Sequence, residues 1–147
     1  MTIDPTTGID FGNIKYTITE TKGNGSLDGY KITLENGISI FIRKENIQKG
    51  AKIELKEPTA SFYANNVRFI GFNHVSIFGS DERDQIEVQD GQNVYVNTSN
   101  NEHGDEVSFI YTKTVDKYTN QFKGDGKDLL RAPYIQLPPK DELKFGL

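Results

Sequence analysis

Three aspartates in the second half of the chain each stand two residues before an apolar strand residue: Asp84, Asp105 and Asp128. Carboxylates that stack on neighbouring strands repel each other. A bound Ca²⁺ would replace this repulsion with coordination by several oxygen atoms. With Asp81 and Asp125 as further oxygen donors, the pattern predicts a calcium site. The alternative is that these acids start turns by bonding their own backbone, which requires no metal.

Histidines and paired carboxylates are the remaining candidates for catalysis. The chain has two histidines, His74 and His103, and both stand beside turn residues. A histidine near carboxylates can act as a general base, but a solvated loop is the alternative interpretation. Two carboxylates suffice for glycoside hydrolysis, although a chain with 21 acidic residues always offers some pair. The acids considered for such a pair are Asp81, Asp84, Asp90 and Asp105.

Aromatic residues are dense in the middle of the chain. Phe78 follows Ile77, so a regular strand turns one of these two side chains outward, and the same holds for Phe69 and Ile70. Outward aromatic side chains bind sugar rings or a protein partner. The alternative is a two-sided core under a covering loop. The other aromatics of this group are Phe62, Tyr63, Phe72 and Tyr111.

Two alternating segments on either side of residues 35–37 predict a β-hairpin. A three-residue loop Glu35-Asn36-Gly37 places the six alternating apolar residues of the two segments on one face, whereas a two-residue loop would split them. Gly37 then falls where a left-handed residue closes the turn with a bulge. The pairs expected from this register are Tyr30 with Ile42, Ile32 with Ile40, and Leu34 with Ile38.

A rough internal repeat follows the hairpin. Val67 precedes Ile86 by 19 residues, Val75 precedes Val94 by 19, and Ile86 precedes Val107 by 21. Two strands per coil at this spacing predict a short β-solenoid, in which each coil buries its apolar residues against the next. An antiparallel β-meander or barrel is the alternative. Its turn residues would be Gly71, Gly79 and Gly91.

The aspartate pattern also carries a family resemblance. The stretch 124–130 (GDGKDLL) resembles the second half of the haemolysin-type (RTX) nonapeptide, and 79–86 (GSDERDQI) matches its first glycine, its aspartate and its apolar residue. The stretch 101–107 matches at the aspartate and the apolar residue alone. The resemblance covers about a third of the chain and implies calcium bound between the coils of a parallel β-roll. Here the aspartates are 21 and 23 residues apart rather than in tandem nonapeptides.

Composition and net charge exclude some classes of partner and of chemistry. The net charge is −4, and no Lys/Arg cluster forms the basic face of a nucleic-acid binder, so nucleic acid is not an expected partner. The absence of cysteine excludes disulfides and thiol catalysis. No leader pattern and no apolar run of membrane-spanning length stand out. We therefore expect a cytoplasmic protein, or one secreted without a cleaved signal peptide.

The chain is predicted to be one all-β domain over residues 13–132. A flexible lead-in occupies residues 1–12, a short helix residues 114–122, and an extended, proline-containing tail residues 133–147. The function that fits best is a non-enzymatic binding or structural module of a bacterial secreted, surface or effector protein, stabilised by calcium. Its partner would be a protein or a polysaccharide. The alternative is a small carbohydrate-active enzyme, a lyase or hydrolase, that uses paired carboxylates.

Overall fold

A computed structural model describes residues 3–21, 28–100 and 102–131 of the chain. Within these residues the architecture is all-β, with eleven strands and one 3-10 helix at Lys117–Thr119. The strands are β1 (Tyr16–Thr21), β2 (Gly29–Leu34), β3 (Ser39–Arg43), β4 (Lys52–Leu55), β5 (Asn65–Ile70), β6 (Asn73–Phe78), β7 (Asp84–Gln89), β8 (Gln92–Asn97), β9 (Glu106–Ile110), β10 (Gln121–Lys123) and β11 (Leu129–Arg131).

The strands form two sheets that enclose the core. Sheet I has the order β1-β2-β3-β6-β8-β10, and sheet II has the order β11-β9-β7-β5-β4. The pairs β1–β2, β2–β3, β3–β6 and β4–β5 are antiparallel, whereas every pair among the later strands is parallel. An antiparallel N-terminal unit therefore continues into a parallel one within the same two sheets.

The hairpin between β2 and β3 has the predicted register. Ile32 pairs with Ile40 and Tyr30 with Ile42. The loop is closed by hydrogen bonds from Leu34 N to Ile38 O and from Gly37 N to Leu34 O, both 2.9 Å. Gly37 has φ +94°, a conformation that glycine adopts without steric cost. The three-residue loop is thus confirmed.

The parallel strands form the predicted β-solenoid of about three coils. In sheet II, Val67 of β5 pairs with Ile86 of β7, which pairs with Val107 of β9. In sheet I, Val75 of β6 pairs with Val94 of β8. These are the residues that define the repeat in the sequence. The antiparallel meander or barrel is wrong, because the turn glycines connect strands of different sheets rather than hydrogen-bonded neighbours.

Successive coils turn the same corner with the same backbone conformation. Gly71 (φ +73°) and Asp90 (φ +55°) occupy equivalent positions after β5 and β7. His74 (φ +59°) and Asn93 (φ +53°) are equivalent at the start of β6 and β8. Gly, Asn, Asp and His are the residue types that enter the left-handed region most readily. The corner therefore constrains these positions, and this includes one of the two histidines.

The lead-in predicted to be flexible packs into the core. Ile9 and Phe11 are fully buried, and the Phe11 ring stacks on Tyr16 with 3.7 Å between ring centroids. The backbone of Asp10 receives a hydrogen bond from Ile53 N and donates one to Ala51 O, both 2.9 Å. Residues 9–11 therefore run beside β4 as part of the fold. Hydrophobic periodicity does not predict this packing, because the segment is too short to show alternation.

The helix predicted at 114–122 is wrong. The segment forms the 3-10 turn and then β10, which pairs in parallel with β8. Asn120 explains the difference: its Oδ1 accepts a hydrogen bond from Val94 N (2.9 Å), and its Nδ2 donates to Gly91 O (2.8 Å). These bonds tie the segment to the preceding coil in extended form. The tail predicted at 133–147 lies outside the described residues.

Candidate functional site

The solenoid brings three of the predicted site residues into one column. Asp84, Asp105 and Asp128 occupy equivalent positions: Asp84 is the first residue of β7, and Asp105 and Asp128 immediately precede β9 and β11. Their exposed fractions are 0%, 1% and 1%. We call these three residues the aspartate ladder. They lie beside the turns that lead into sheet II, under the neighbouring coils rather than at the surface.

Two of the three ladder carboxylates accept a hydrogen bond from the backbone of the preceding coil. Asp84 N donates to Asp105 Oδ1 at 2.8 Å, and Asp105 N donates to Asp128 Oδ1 at 2.9 Å. Buried N–H groups need such partners, because an unsatisfied one costs about 1–3 kcal/mol. The ladder therefore links three successive coils at the point where the strands of sheet II begin.

The two ends of the ladder are completed by neighbouring polar groups. Asp84 accepts hydrogen bonds from Asn65 Nδ2 (2.8 Å), Ser80 N (2.7 Å) and Ser80 Oγ (2.8 Å). Asp128 Oδ2 accepts from Thr98 Oγ1 (2.6 Å) and from Asp125 N (3.1 Å). Both oxygen atoms of each terminal carboxylate are thus engaged with donors.

Burial raises the pKa of Asp84 and Asp128, because it disfavours the charged form of a carboxyl group. The hydrogen bonds from Asn65 and Ser80 act in the opposite direction at Asp84. Those from Thr98 and from the backbone of Asp105 and Asp125 do so at Asp128. Hydrogen bonds from neighbouring donors thus partly offset the cost of burying the carboxylates of Asp84 and Asp128.

Calcium binding by the ladder stays a prediction, and the donors around its two terminal carboxylates disfavour it. The N–H and O–H groups bonded to Asp84 and Asp128 point their positive ends at the oxygen atoms a cation would need. Of the other two predicted ligands, Asp81 is exposed, and Asp125 accepts a local bond from Lys127 N at 2.8 Å. Within the described residues, no group of three or more His, Asp or Glu side chains is arranged to hold a metal ion.

Thermal unfolding tests this point directly. We expect the same midpoint in EDTA and in millimolar Ca²⁺ at matched ionic strength, because both oxygen atoms of Asp84 and of Asp128 already accept hydrogen bonds. A ligand at a hundredfold excess over its Kd adds about 2.7 kcal/mol to the free energy of unfolding. For a domain of this size that corresponds to roughly 5–10 °C. An upward shift of that order in Ca²⁺ would instead support the calcium site that the RTX resemblance implies.

The acids considered for sugar hydrolysis do not form a pair on a surface. Asp84 and Asp105 are buried in the ladder. Asp90 accepts hydrogen bonds from Thr112 N (2.6 Å) and Lys113 N (2.9 Å). Burial opposes ionisation of Asp90, but the bonds from Thr112 and Lys113 outweigh it and lower the pKa. Of these four acids, Asp81 alone is exposed. His103 is also exposed, on the loop before β9.

The outer surface of sheet I carries three aromatic side chains around one serine. Phe41 of β3 and Tyr95 of β8 both pair with Ser76 of β6, one from each side. Phe78 lies two residues further along β6, diagonal to both. With strands about 4.8 Å apart, the backbones of Phe41 and Tyr95 are about 10 Å apart across the serine. We call the half-buried side chains of Phe41, Phe78 and Tyr95 the aromatic face.

Two shallow concavities border the aromatic face. One has a volume of about 550 Å³ and the other about 410 Å³, and they share Phe41 and Ser76. Together they follow β6 from Phe78 to His74, a distance of about 13 Å at the rise of an extended strand. The polar residues of the first are Thr21, Lys31, Ser39, Ser76 and Asn100, and the second adds Arg43, Glu45, Asn46, His74 and Asn93.

The other aromatics have different roles. Phe69 and Phe72 are buried and meet edge to face at 5.7 Å, so they belong to the core. Phe62 is 59% exposed and lies near Arg83, away from sheet I. Of Ile77 and Phe78, one of which the alternation predicts to face outward, Phe78 does so and Ile77 is buried. Phe41 and Tyr95 were not identified as site residues, although the alternation in β3 and β8 turns both of them outward.

Comparisons with family models, with curated proteins and with solved structures found no match to this chain. Within the described residues, no helix is long and apolar enough to cross a membrane. The functional assignment therefore depends on the geometry of the two features above, the buried aspartate ladder and the exposed aromatic face.

Proposed function

We propose that this protein is a non-enzymatic binding module that holds an extended polysaccharide on the aromatic face. The observation that carries the proposal is the grouping of Phe41, Phe78 and Tyr95 around Ser76. The small serine side chain leaves a depression between larger rings. A chain lying along β6 would pass between Phe41 and Tyr95 and then contact Phe78.

The chemistry of the face suits sugar rings. A pyranose presents an apolar C–H face, which packs on an aromatic ring, and hydroxyl groups around its edge, which need hydrogen-bond partners. The first concavity supplies such partners in Ser39, Ser76 and Asn100. Hydroxyl and amide groups both donate and accept, so they can satisfy sugar hydroxyls in either sense. Polar groups set among apolar and aromatic side chains are the usual composition of a ligand site.

The rigidity of the face also favours binding. The three aromatic residues lie on strands paired on both sides within sheet I. Their half-buried side chains are already restrained by neighbours, so little conformational freedom remains to be lost when a ligand binds. A flat, preformed platform of this kind suits an extended chain better than a ligand that needs enclosure.

The aromatic face lacks the pair of carboxylates that a carbohydrate-active enzyme, the alternative function, would need. The outward positions of β2, β3, β6, β8 and β10 contain no Asp or Glu. Glycoside hydrolysis by paired carboxylates needs two of them across the scissile bond. A binding module therefore agrees better with this surface than a hydrolase does. A polysaccharide ligand also suits the surface or secreted setting predicted from the sequence.

Binding to a panel of soluble acidic and neutral polysaccharides, measured by affinity electrophoresis and calorimetry, tests the proposal. We expect Phe41→Ala, Phe78→Ala and Tyr95→Ala each to weaken binding about tenfold or more, which is about 1.4 kcal/mol. Phe62→Ala is the matched control, because it removes an exposed aromatic outside the face. Thermal unfolding establishes that each variant is folded. Absence of binding to every polysaccharide, or equal loss in the control, would contradict the proposal, and retained capture of a protein would favour a protein partner.

A further inference from the structure

We infer that the polysaccharide is anionic and carries carboxylate groups, as polyuronates do; this inference rests on the proposed function. The observation behind it is the distribution of charge between the two outer surfaces. The protein has net charge −4. Yet the outward positions of β2, β3, β6, β8 and β10 carry the cations Lys31, Arg43 and Lys123 and no acid.

Sheet II shows the contrasting arrangement. There Arg68 lies 3.0 Å from Glu87, and Arg131 lies 3.5 Å from Glu106, so both arginines of that surface are matched by acids of the same surface. Lys31 and Arg43 make no ion pair with any other residue that the structure describes. Their charge on sheet I is thus available to a ligand.

The two cations flank the same aromatic ring. Lys31 is paired directly with Phe41 across β2 and β3, and Arg43 follows Phe41 by two residues on the same side of β3. Lys31 lines the first concavity and Arg43 the second. A sugar stacked on Phe41 would direct its ring substituents outward between them. A guanidinium group binds a carboxylate through two parallel hydrogen bonds, and an ammonium group adds a point charge.

Acids at the rim limit where the carboxylates of a ligand can lie. Glu45 lines the second concavity. Glu35, Asp81 and Glu82 line a third concavity, which shares Lys31, Ser39 and Asn100 with the first. Like charges repel, so these acids disfavour an anionic group at either end of the groove. The favourable position for a carboxylate is therefore beside Phe41, where both cations are within the same groove.

Matched ligands test the inference. Polygalacturonate and its fully methyl-esterified form share one backbone and differ in charge. We expect the acid form to bind more tightly than the ester, and Lys31→Gln and Arg43→Gln each to weaken its binding about fivefold. Lys52→Gln, an exposed lysine on sheet II, is the control and should leave binding unchanged. Raising NaCl from about 50 mM to about 500 mM should weaken binding by the native protein and have less effect on the variants.

The outcomes separate this inference from the proposed function. The anionic ligand would be overturned if the acid and ester forms bound equally, or if neutral glucans and mannans bound as tightly as the acid form. If binding were then lost in Tyr95→Ala but kept in Lys31→Gln and Arg43→Gln, the proposed polysaccharide-binding module would still stand. Failure of alginate, hyaluronan, polygalacturonate and all neutral polymers to bind would overturn both. Loss of binding in the Lys52→Gln control would show a general charge effect and would also overturn the assignment to Lys31 and Arg43.

Discussion

Replacing Asp128 with alanine is expected to lower the free energy of unfolding by about 3–4 kcal/mol. The substitution removes the acceptor of Asp105 N and of Thr98 Oγ1, both in buried residues, and also that of Asp125 N. Each buried donor left without a partner costs about 1–3 kcal/mol. For a domain of this length the loss corresponds to a decrease of roughly 10 °C in the unfolding midpoint, measured by circular dichroism in EDTA.

Asp125→Ala is the matched control for this experiment. The Asp125 carboxylate accepts one hydrogen bond, from Lys127 N in the same turn, and the side chain is half-buried. We expect a change within about 1 kcal/mol, as for most surface substitutions. If Asp128→Ala were as stable as the native protein, mutual repulsion of the ladder carboxylates would be as large as their hydrogen bonding. From the sequence alone, without a metal, removal of a ladder aspartate is expected to be neutral or mildly stabilising. The reason is that the sequence shows the stacked charges but not the donors that bind them.

Replacing Phe11 with alanine is expected to destabilise the protein by about 3–5 kcal/mol. The side chain is fully buried and stacks on Tyr16, with an interplanar angle of 14°. Truncation of a buried phenylalanine removes its hydrophobic transfer energy and leaves a cavity, and the sum usually falls in this range. Urea unfolding of the native and variant proteins measures the difference.

Ile3→Ala provides the control in the same segment. Ile3 is 54% exposed, so we expect its replacement to change stability by about 0.5 kcal/mol or less. Equal and small effects of both substitutions would mean that residues 3–12 are peripheral to the cooperative unit. A large effect at Phe11 alone would establish that the beginning of the chain is part of the core.

The sequence predicts the fold wherever side-chain alternation and turn chemistry agree. The loop at residues 35–37 could be chosen because, of the two registers, the three-residue loop alone puts Tyr30, Ile32, Leu34, Ile38, Ile40 and Ile42 on a common face. The parallel pairing of Val67, Ile86 and Val107 could be inferred from their 19- and 21-residue spacings. Both inferences use local patterns that recur, and recurrence is what distinguishes a coil from an isolated strand.

The segments that were interpreted wrongly have no such recurrence. Residues 114–122 contain Val115, Tyr118 and Phe122 at helical spacing, but of these three Phe122 alone is buried, as the inward residue of β10. The extended form depends on Asn120 and its bonds to Gly91 and Val94 of the preceding coil. A contact between residues almost thirty positions apart leaves no local pattern in the sequence.

The candidate site was predictable to a similar degree. The spacing of the ladder aspartates places them at equivalent points of successive coils, and the structure brings them together. Their role could not be inferred, because the donors come from neighbouring coils and turns: Asn65, Ser80 and Thr98. The aromatic face was visible in part. The direction of Phe78 follows from alternation, but its neighbours Phe41 and Tyr95 are known only once the strand order of sheet I is known.

The equivalence of the first two coils makes the molecule extensible. Asn65 to Ile70 pairs residue by residue with Asp84 to Gln89, and β6 pairs with β8 in the same way. A duplicated copy of residues 65–83 inserted before Asp84 would keep both registers and lengthen the protein by about 4.8 Å. It would also add a second copy of Ser76 and Phe78 to the groove. Because an added coil places its strands side by side with β6 and β8, tandem duplication could widen the binding surface across the strands, with no change of architecture.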